Sequence, residues 1–389
     1  MANKTIKQLT PPATIGIIGG GQLGKMMSHE AKKMGYDVVI YDPKENAIAA
    51  QVSNSQVVGG FSDEAKLLEF AKQVDVITYE FEHLDATVLE NLENKGYPIY
   101  PSAATLRMIQ DKDTQKKWLA DINVPVPANF PVFTYEQLED AFNRFNSKIV
   151  VKTRKEGYDG KGNIIVKDIQ DVKYAYEQFA DFDIMVEEFI DFSMEVSVML
   201  VKNEHETVIY PTSYNNHEDS ILIKSQVPAK VSDHVALQIR QISQKVLDEL
   251  QDYGIFCIEF FVTKDQRVLV NEIAPRPHNS GHYTIEGCVC SQFEQIIRVI
   301  TGLPLGSSEL INPSVMYNLL GSDNGKYTVA GLDEVLKIPN CHFHLYGKDI
   351  SGVQRKLGHL TVVANSLDQA NTLADQAFDK IKFEIKGEQ

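Results

Sequence analysis

Cysteine is scarce and unpatterned in this 389-residue chain. Its four cysteines, Cys257, Cys288, Cys290 and Cys341, show no paired metal-ligand spacing, and a single residue separates Cys288 from Cys290, which argues against a zinc framework. No uninterrupted apolar run approaches the ~18 residues of a membrane helix, and the opening MANKTIKQLTPPA lacks the apolar core of a secretory leader. A reducing, cytoplasmic protein is therefore expected. Positive charge is also short: 38 Lys and Arg face 53 Asp and Glu, a net charge of −15, which opposes broad attraction to nucleic acid or to anionic lipid. An anionic ligand would have to be held by basic groups gathered in a pocket. Repeats and low-complexity tracts are missing as well. What is present, 43% hydrophobic and 23% charged residues, is enough to pack two or three domains.

From Thr14 the pattern reads strand, glycine turn, amphipathic helix, strand (TIGIIGG, GQLGKMMSHEAKKMG, YDVVIYD), the opening of a parallel α/β sheet. AKLLEFAKQ, VDVITYEFE and VLENLENKG continue the alternation, giving an N-terminal domain over 1–111. The prolines of INVPVPANF suit an extended connection. A small α+β lobe follows over about 120–190, from KIVVK to DIMVEEFI. Beyond it MEVSVMLV, IFCIEFFV and RVLVNEIA alternate as antiparallel strands. The central domain is expected over 112–300 and a small C-terminal domain, packed on it, over 301–389.

Gly19, Gly21 and Gly24 form G-x-G-x-x-G between a strand and a helix, with Asp42 ending the next strand where a ribose-binding carboxylate would sit. Alone this suggests a dinucleotide site. The same glycines serve wherever a strand turns tightly into a closely packed helix, and that reading is preferred.

Glu259 and Glu272 lie symmetrically about a turn centred between Asp265 and Gln266, so a hairpin sets their carboxylates opposite each other, β-carbons ~5 Å apart. Flanked by Cys257, Ile258, Phe260, Phe261, Val270 and Ile273, such a like-charge pair calls for a divalent cation shared with nucleotide phosphates. GYDGKG can cradle phosphates with backbone N–H groups, and Lys112 and Lys152 can add charge. VEEFI reads as a hinge strand for adenine, with Glu195 placed to accept ribose hydroxyls. Around Arg276, two prolines stiffen the chain, and His278, Asn279 and Ser280 follow close to Glu272. Lys348, Arg355 and Lys356 gather charge suited to a substrate phosphate.

The lysine strand, glycine loop, hinge and acid pair resemble the ATP-grasp fold. GGGQLGKMM, YEFEH, GYDGKG, NEIAPRPHNSGH and GKDISGVQRKLGHL, taken in order from Ile15 to Leu360, resemble the 5-(carboxyamino)imidazole ribonucleotide synthases. The resemblance implies an α/β and α+β chain: an ATP-grasp fold with an N-terminal parallel α/β, Rossmann-like pre-ATP-grasp domain and a small C-terminal domain. It implies ATP held by Lys112, Lys152, the loop Gly157, Tyr158, Asp159, Gly160, Lys161, Gly162 and Asn163, the hinge Glu187, Glu188, Phe189 and Ile190, and Glu195, His217, Asn271 and Glu272. It implies two Mg2+ ions on Glu259 and Glu272. The ribonucleotide falls to Gln22, Glu80, His83, His278, Asn279, Ser280, Lys348, Arg355 and Lys356. Tyr158, Asp159, Lys161 and Arg276 are the implied catalytic set, with Asp159 managing the amine proton and Arg276 orienting bicarbonate. Lys161 stands where the family commonly has arginine, keeping the charge but losing the bidentate fork. The implied partners are 5-aminoimidazole ribonucleotide, bicarbonate, ATP and a second copy of the chain, with carboxyphosphate as intermediate. The rivals are a formate-dependent glycinamide ribonucleotide transformylase, a biotin carboxylase, a nicotinamide-dependent oxidoreductase and a non-catalytic nucleotide-binding regulatory module.

Overall fold

The computed structural model describes residues 6–145, 148–155, 157 and 162–386. The first sheet is parallel and four-stranded, in the order Ser55–Val58, Asp37–Asp42, Thr14–Ile18, Val76–Tyr79. Three of its strands, Asp37–Asp42, Thr14–Ile18 and Val76–Tyr79, are near-continuous buried apolar runs because helices cover both faces, while the edge strand Ser55–Val58 is largely exposed. Strand order reverses between Thr14–Ile18 and Val76–Tyr79. Ligands of open α/β sheets gather outside the carboxyl ends at such a point, and there the chain places the glycine turn and the segment Glu80–His83.

The small lobe is an antiparallel sheet in the order Asn129–Val132, Ile184–Glu188, Ile149–Thr153, Asn163–Val166. Helices Tyr135–Arg144 and Ile169–Gln178 back it, burying Leu138, Phe142 and Val172 against Val151 and Ile184.

The large sheet has nine strands. Its main path runs Val268–Ala274, Gly254–Thr263, Phe192–Lys202, Ser213–Glu218, Ile221–Val227, Ser314–Leu320, Lys356–Val363, Cys341–Leu345, with Thr207–Ile209 added to Phe192–Lys202. The segment after residue 301 thus lengthens the central sheet, pairing Ser314–Leu320 with Ile221–Val227 and covering an edge that would otherwise be open. Helix Gln292–Ile300 turns Phe293, Ile296, Ile297 and Ile300 inward, each worth roughly 1.5–3 kcal/mol of burial. They meet Leu23, Met26 and Met27 of helix Gln22–Lys33, so the first sheet and the large sheet share one core. Among the described residues no helix is long and apolar enough to cross a membrane.

Candidate active site

A cleft of about 1050 Å³ opens where the small lobe, the large sheet and the carboxyl ends of the parallel sheet meet. From the small lobe it takes Lys152, Gly157, Asn163, Glu187, Glu188, Phe189 and Ile190. The large sheet adds Glu195, His217, Glu259, Asn271 and Glu272, followed by Arg276, His278 and Asn279, and Lys356 from the C-terminal segment. Gln22, Glu80 and His83 come from the N-terminal domain. The structure therefore brings most of the expected residues to one cavity. Lys112, Gly162, Ser280, Lys348 and Arg355 do not line it. Tyr158, Asp159, Gly160 and Lys161 lie outside the described residues.

At the glycine turn, the Glu80 carboxylate accepts from the N–H of Gly21 and, at 2.7 Å, from that of Gly24. A carboxylate of the chain itself thus occupies the anion position at the start of helix Gln22–Lys33, where a dinucleotide would set its pyrophosphate. A Cβ on Gly21 would fall 2.6 Å from Glu80 Oε1, so glycine is required here to admit Glu80 itself. Asp42 is likewise engaged, accepting from Gly20 N at 2.8 Å. Burial raises the Glu80 carboxyl, although the two N–H groups oppose the shift.

Glu259 pairs with Glu272 across the hairpin, by a route the symmetry alone does not give. The turn centres on Asp265, with Val262 opposite Val268 and Gln266 at φ 64°. A β-bulge after Glu259 then shifts the register by one residue, opposing Phe260 to Val270 and Glu259 to Glu272. The bulge has a chemical effect: consecutive strand residues face opposite ways, yet Asn271 and Glu272 both line the cleft, because the extra residue re-aims the chain. Burial, and then the Glu272 charge, raises the Glu259 carboxyl. Among the described residues no group of three or more His, Cys, Asp or Glu could hold a metal by itself. Two facing carboxylates and no third ligand fit magnesium, which is usually bound by one or two carboxylates together with substrate phosphates.

Lys152 Nζ lies 2.7 Å from Glu187 and 3.3 Å from Asn271 Oδ1. The other Glu187 oxygen meets Lys116 Nζ at 3.1 Å, and Lys116 also donates to Val270 O at 3.1 Å. Burial alone would raise Glu187, but the two ammonium groups hold it at about 2. Lys112 sits at the root of the glycine loop, its Nζ 3.5 Å from where a Cβ on Gly157 would stand. Asp111 caps the helix that begins at Lys112 and holds Arg154 at 2.8 Å. His217 Nδ1 is 2.8 Å from Glu195. Burial would lower that imidazole, but the Glu195 hydrogen bond and charge outweigh it and raise it.

Arg276 forms a two-armed ion pair with Glu82 and donates to Pro277 O at 3.1 Å, so three of its N–H groups are engaged. Burial works against the Glu82 carboxylate, yet Arg276 holds it at about 2. His278 Nδ1 accepts from Ser280 N at 3.3 Å, leaving Nε2 to face Glu259 at 3.4 Å. Burial, with Arg276 adding to it, pushes His278 down to about 3. Ser280 is buried behind His278 and accepts from Ser197 Oγ at 2.7 Å. Arg355 is exposed and donates to Ile350 O, and Lys348 lies 5.8 Å from the centre of the Tyr346 ring.

Sequence reasoning passed over Glu82, Lys116 and His282. Glu82 is two residues from Glu80, hence on the same face of an extended segment, and Lys116 is four from Lys112 on one helix face; both signals were available. His282 closes the motif NEIAPRPHNSGH, two residues beyond Ser280, and that position was its signal.

The ribonucleotide synthetase preATP-grasp domain matches residues 12–110, the ATP-grasp domain residues 117–293, and the phosphoribosylaminoimidazole carboxylase C-terminal domain residues 314–372. The N5-carboxyaminoimidazole ribonucleotide synthase of Staphylococcus epidermidis is 38% identical over 359 residues, covering 92% of this chain and 94% of that protein. The Bacillus subtilis synthase is 38% identical over 361 residues, covering 92% and 93%. The crystal structure of the Thermotoga maritima synthetase superposes with a TM-score of 0.88 at 43% identity, over 96% of this chain and 100% of that one. The Aspergillus clavatus synthase, in complex with ADP and 5-aminoimidazole ribonucleotide, superposes with a TM-score of 0.86 at 32% identity, over 94% and 98%. Motif order, cleft and likeness along nearly the whole chain agree: the chain belongs to the N5-carboxyaminoimidazole ribonucleotide synthase family of ATP-grasp enzymes.

Proposed function

We propose that this chain carboxylates 5-aminoimidazole ribonucleotide with ATP and bicarbonate, giving 5-(carboxyamino)imidazole ribonucleotide, ADP and phosphate, in cytoplasmic de novo purine biosynthesis. The observation that carries the reading is a single cleft that joins a phosphate-handling wall of Lys152, Glu259 and Glu272 to a wall of Glu80, Arg276, His278 and Lys356. Two reacting molecules held in one cavity lose little further freedom on reaction, which is a large part of catalysis.

ATP would lie between the small lobe and the large sheet, its adenine along Glu187–Ile190 and its ribose on Glu195. Lys152 and Lys112 would meet the phosphates, and Glu259 and Glu272 would hold two Mg2+ ions. Bound there, magnesium supplies charge neutralisation for phosphoryl transfer. A bicarbonate oxygen attacks the γ-phosphorus as the bond to ADP breaks, giving carboxyphosphate. The amine nitrogen then attacks the carboxyl carbon of carboxyphosphate, or of CO2 released from it, phosphate leaves with the C–O bonding pair, and the amine gives up a proton. Arg276, fixed by Glu82, has N–H groups left to orient bicarbonate, and the loop residues Tyr158, Asp159 and Lys161 are assigned to the substrate and the intermediate. Asp159 is the proposed acceptor of the amine proton. The phosphate of the ribonucleotide is given to Lys356, with Lys348 and Arg355 nearby in sequence. The family resemblance also proposes a homodimer, which sedimentation equilibrium checks.

A coupled ADP-release assay tests the reading. ADP should form only with bicarbonate and the ribonucleotide both present. Turnover with formate and glycinamide ribonucleotide instead would select the rival enzyme, and ADP release in neither mixture would favour a non-catalytic module.

A further inference from the structure

His282 follows the short turn Asn279–Gly281, lines the cleft and is 1% exposed. Its ring is clamped by His359, centroids 4.8 Å apart, and by Phe293 at 5.6 Å. Its Nδ1 is 3.1 Å from the Gln292 side-chain nitrogen. The amide of Gln292 has one possible orientation, because its oxygen accepts from His278 N at 2.9 Å and its nitrogen donates to His278 O at 2.8 Å. Gln292 therefore donates to His282 Nδ1, which must be unprotonated, and the ring proton sits on Nε2. The amide has no freedom to reverse this. Gln292 is fully buried, and a Cβ on Gly281 would come 2.6 Å from its oxygen. Burial pushes the imidazole well below its usual range, and the positive charges of Lys356 and Arg276 add to it, so the ring is neutral.

We propose that His282 is a substrate-binding residue: a neutral Nε2–H donor to an uncharged acceptor of the ribonucleotide, a ribose oxygen or the unprotonated ring nitrogen, with Gln292 as the positioning residue that fixes its tautomer. This rests on the cleft being the ribonucleotide site. With Nδ1 taken by Gln292, Nε2 is the nitrogen left to meet a ligand. An imidazolium would suit the phosphate instead, and burial forbids that state. Gln292 also holds both backbone polar groups of His278, so one side chain sets two histidines of the same wall.

The tautomer is tested first, by long-range 15N–1H correlation on the full chain carrying 15N-labelled histidine, with His282→Leu assigning the signals. The expected spectrum is neutral and Nε2-protonated from pH 6 to 9; an Nδ1-protonated or charged ring overturns the proposal. Kinetics follow. His282→Leu should raise the ribonucleotide KM about tenfold or more, the loss of one hydrogen bond to a bound ligand, with ATP KM within about twofold, while His282→Gln should recover part of the loss. Gln292→Glu presents acceptors on both oxygens, so His282 should take a proton at Nδ1 and the ribonucleotide KM should become pH-dependent. An unchanged ribonucleotide KM in His282→Leu overturns the proposal while leaving the carboxylase reading intact. ADP release indifferent to the ribonucleotide would overturn that reading, and with it the assigned ligand, while the tautomer would still stand.

Discussion

Lys116→Met isolates the least visible part of the proposed phosphate-handling wall. Lys116 and Glu187 are each 2% exposed, and the ammonium bridges the small lobe, through Glu187, to the bulged strand, through Val270 O. Methionine keeps the length of the side chain and removes both contacts. Breaking a buried ion pair costs about 3–5 kcal/mol, and stripping the donor from a buried carbonyl about 1–3 kcal/mol. Lys152 still neutralises Glu187 at 2.7 Å, which argues for the low end of both, a net loss of ~4 kcal/mol in guanidinium unfolding. Glu187 would then bind Lys152 undivided, drawing it from the phosphates, so ATP KM should rise roughly tenfold, ~1.4 kcal/mol, with ribonucleotide KM unchanged. Because the loss comes largely from a charge left half-paired, adding Glu187→Gln should return about half of it. A single variant within ~0.5 kcal/mol of the parent, or a double variant whose losses simply add, would refute the reasoning.

Glu259→Gln or Glu272→Gln should lower turnover about 100-fold or more, since the charge that would hold magnesium is halved, while thermal stability holds because a like-charge repulsion is relieved; unaltered magnesium dependence of turnover would dismiss the metal assignment. Lys356 lines the cleft and Arg355 does not, so Lys356→Ala should weaken the ribonucleotide by about 1.5–3 kcal/mol, roughly 10- to 150-fold in KM, and Arg355→Ala by much less; the reverse ranking would move the phosphate site. Glu82 and Glu187 are both held at about 2 against an ordinary 4.5. Carboxylates depressed by folding add stability above about pH 4.5 and lose it as pH falls toward 2, up to ~3 kcal/mol for each, so Glu82→Gln should flatten the decline in the guanidinium midpoint between pH 5 and 3, and an equally steep decline would contradict the pairing.

Legibility followed the range of the interactions. The parallel sheet and the hairpin strands are read from periodicity, because burial of one or both faces dictates it residue by residue. The pairing of Glu259 with Glu272 is reached from symmetry although the turn is not where symmetry puts it, since the bulge compensates; nothing local in VLVNEIA marks the extra residue. The Glu80 carboxylate in the glycine turn joins positions 59 and 56 residues apart, a contact that only the parallel pairing of two strands creates. Arg276 shows as a cation near Glu272, but its bidentate partner is 194 residues away, and the sequence leaves open which acid of YEFEH it meets. Basic residues in a row, such as Arg355 and Lys356, look alike until the strand beginning at Lys356 separates them, one exposed and the other on the cleft wall.

The pairing of Ser314–Leu320 with Ile221–Val227 has a consequence for how the molecule comes apart. With a common sheet on one side and a common core under helix Gln22–Lys33 on the other, no cut that parts the N-terminal domain, the large sheet and the C-terminal segment leaves their surfaces complete. A version ending near residue 313 would display the Ile221–Val227 backbone as an unshielded ladder, open to strands from other molecules. Such a fragment should accumulate as insoluble material, whereas the intact chain should melt in one calorimetric transition, its three homology segments behaving as one thermodynamic body.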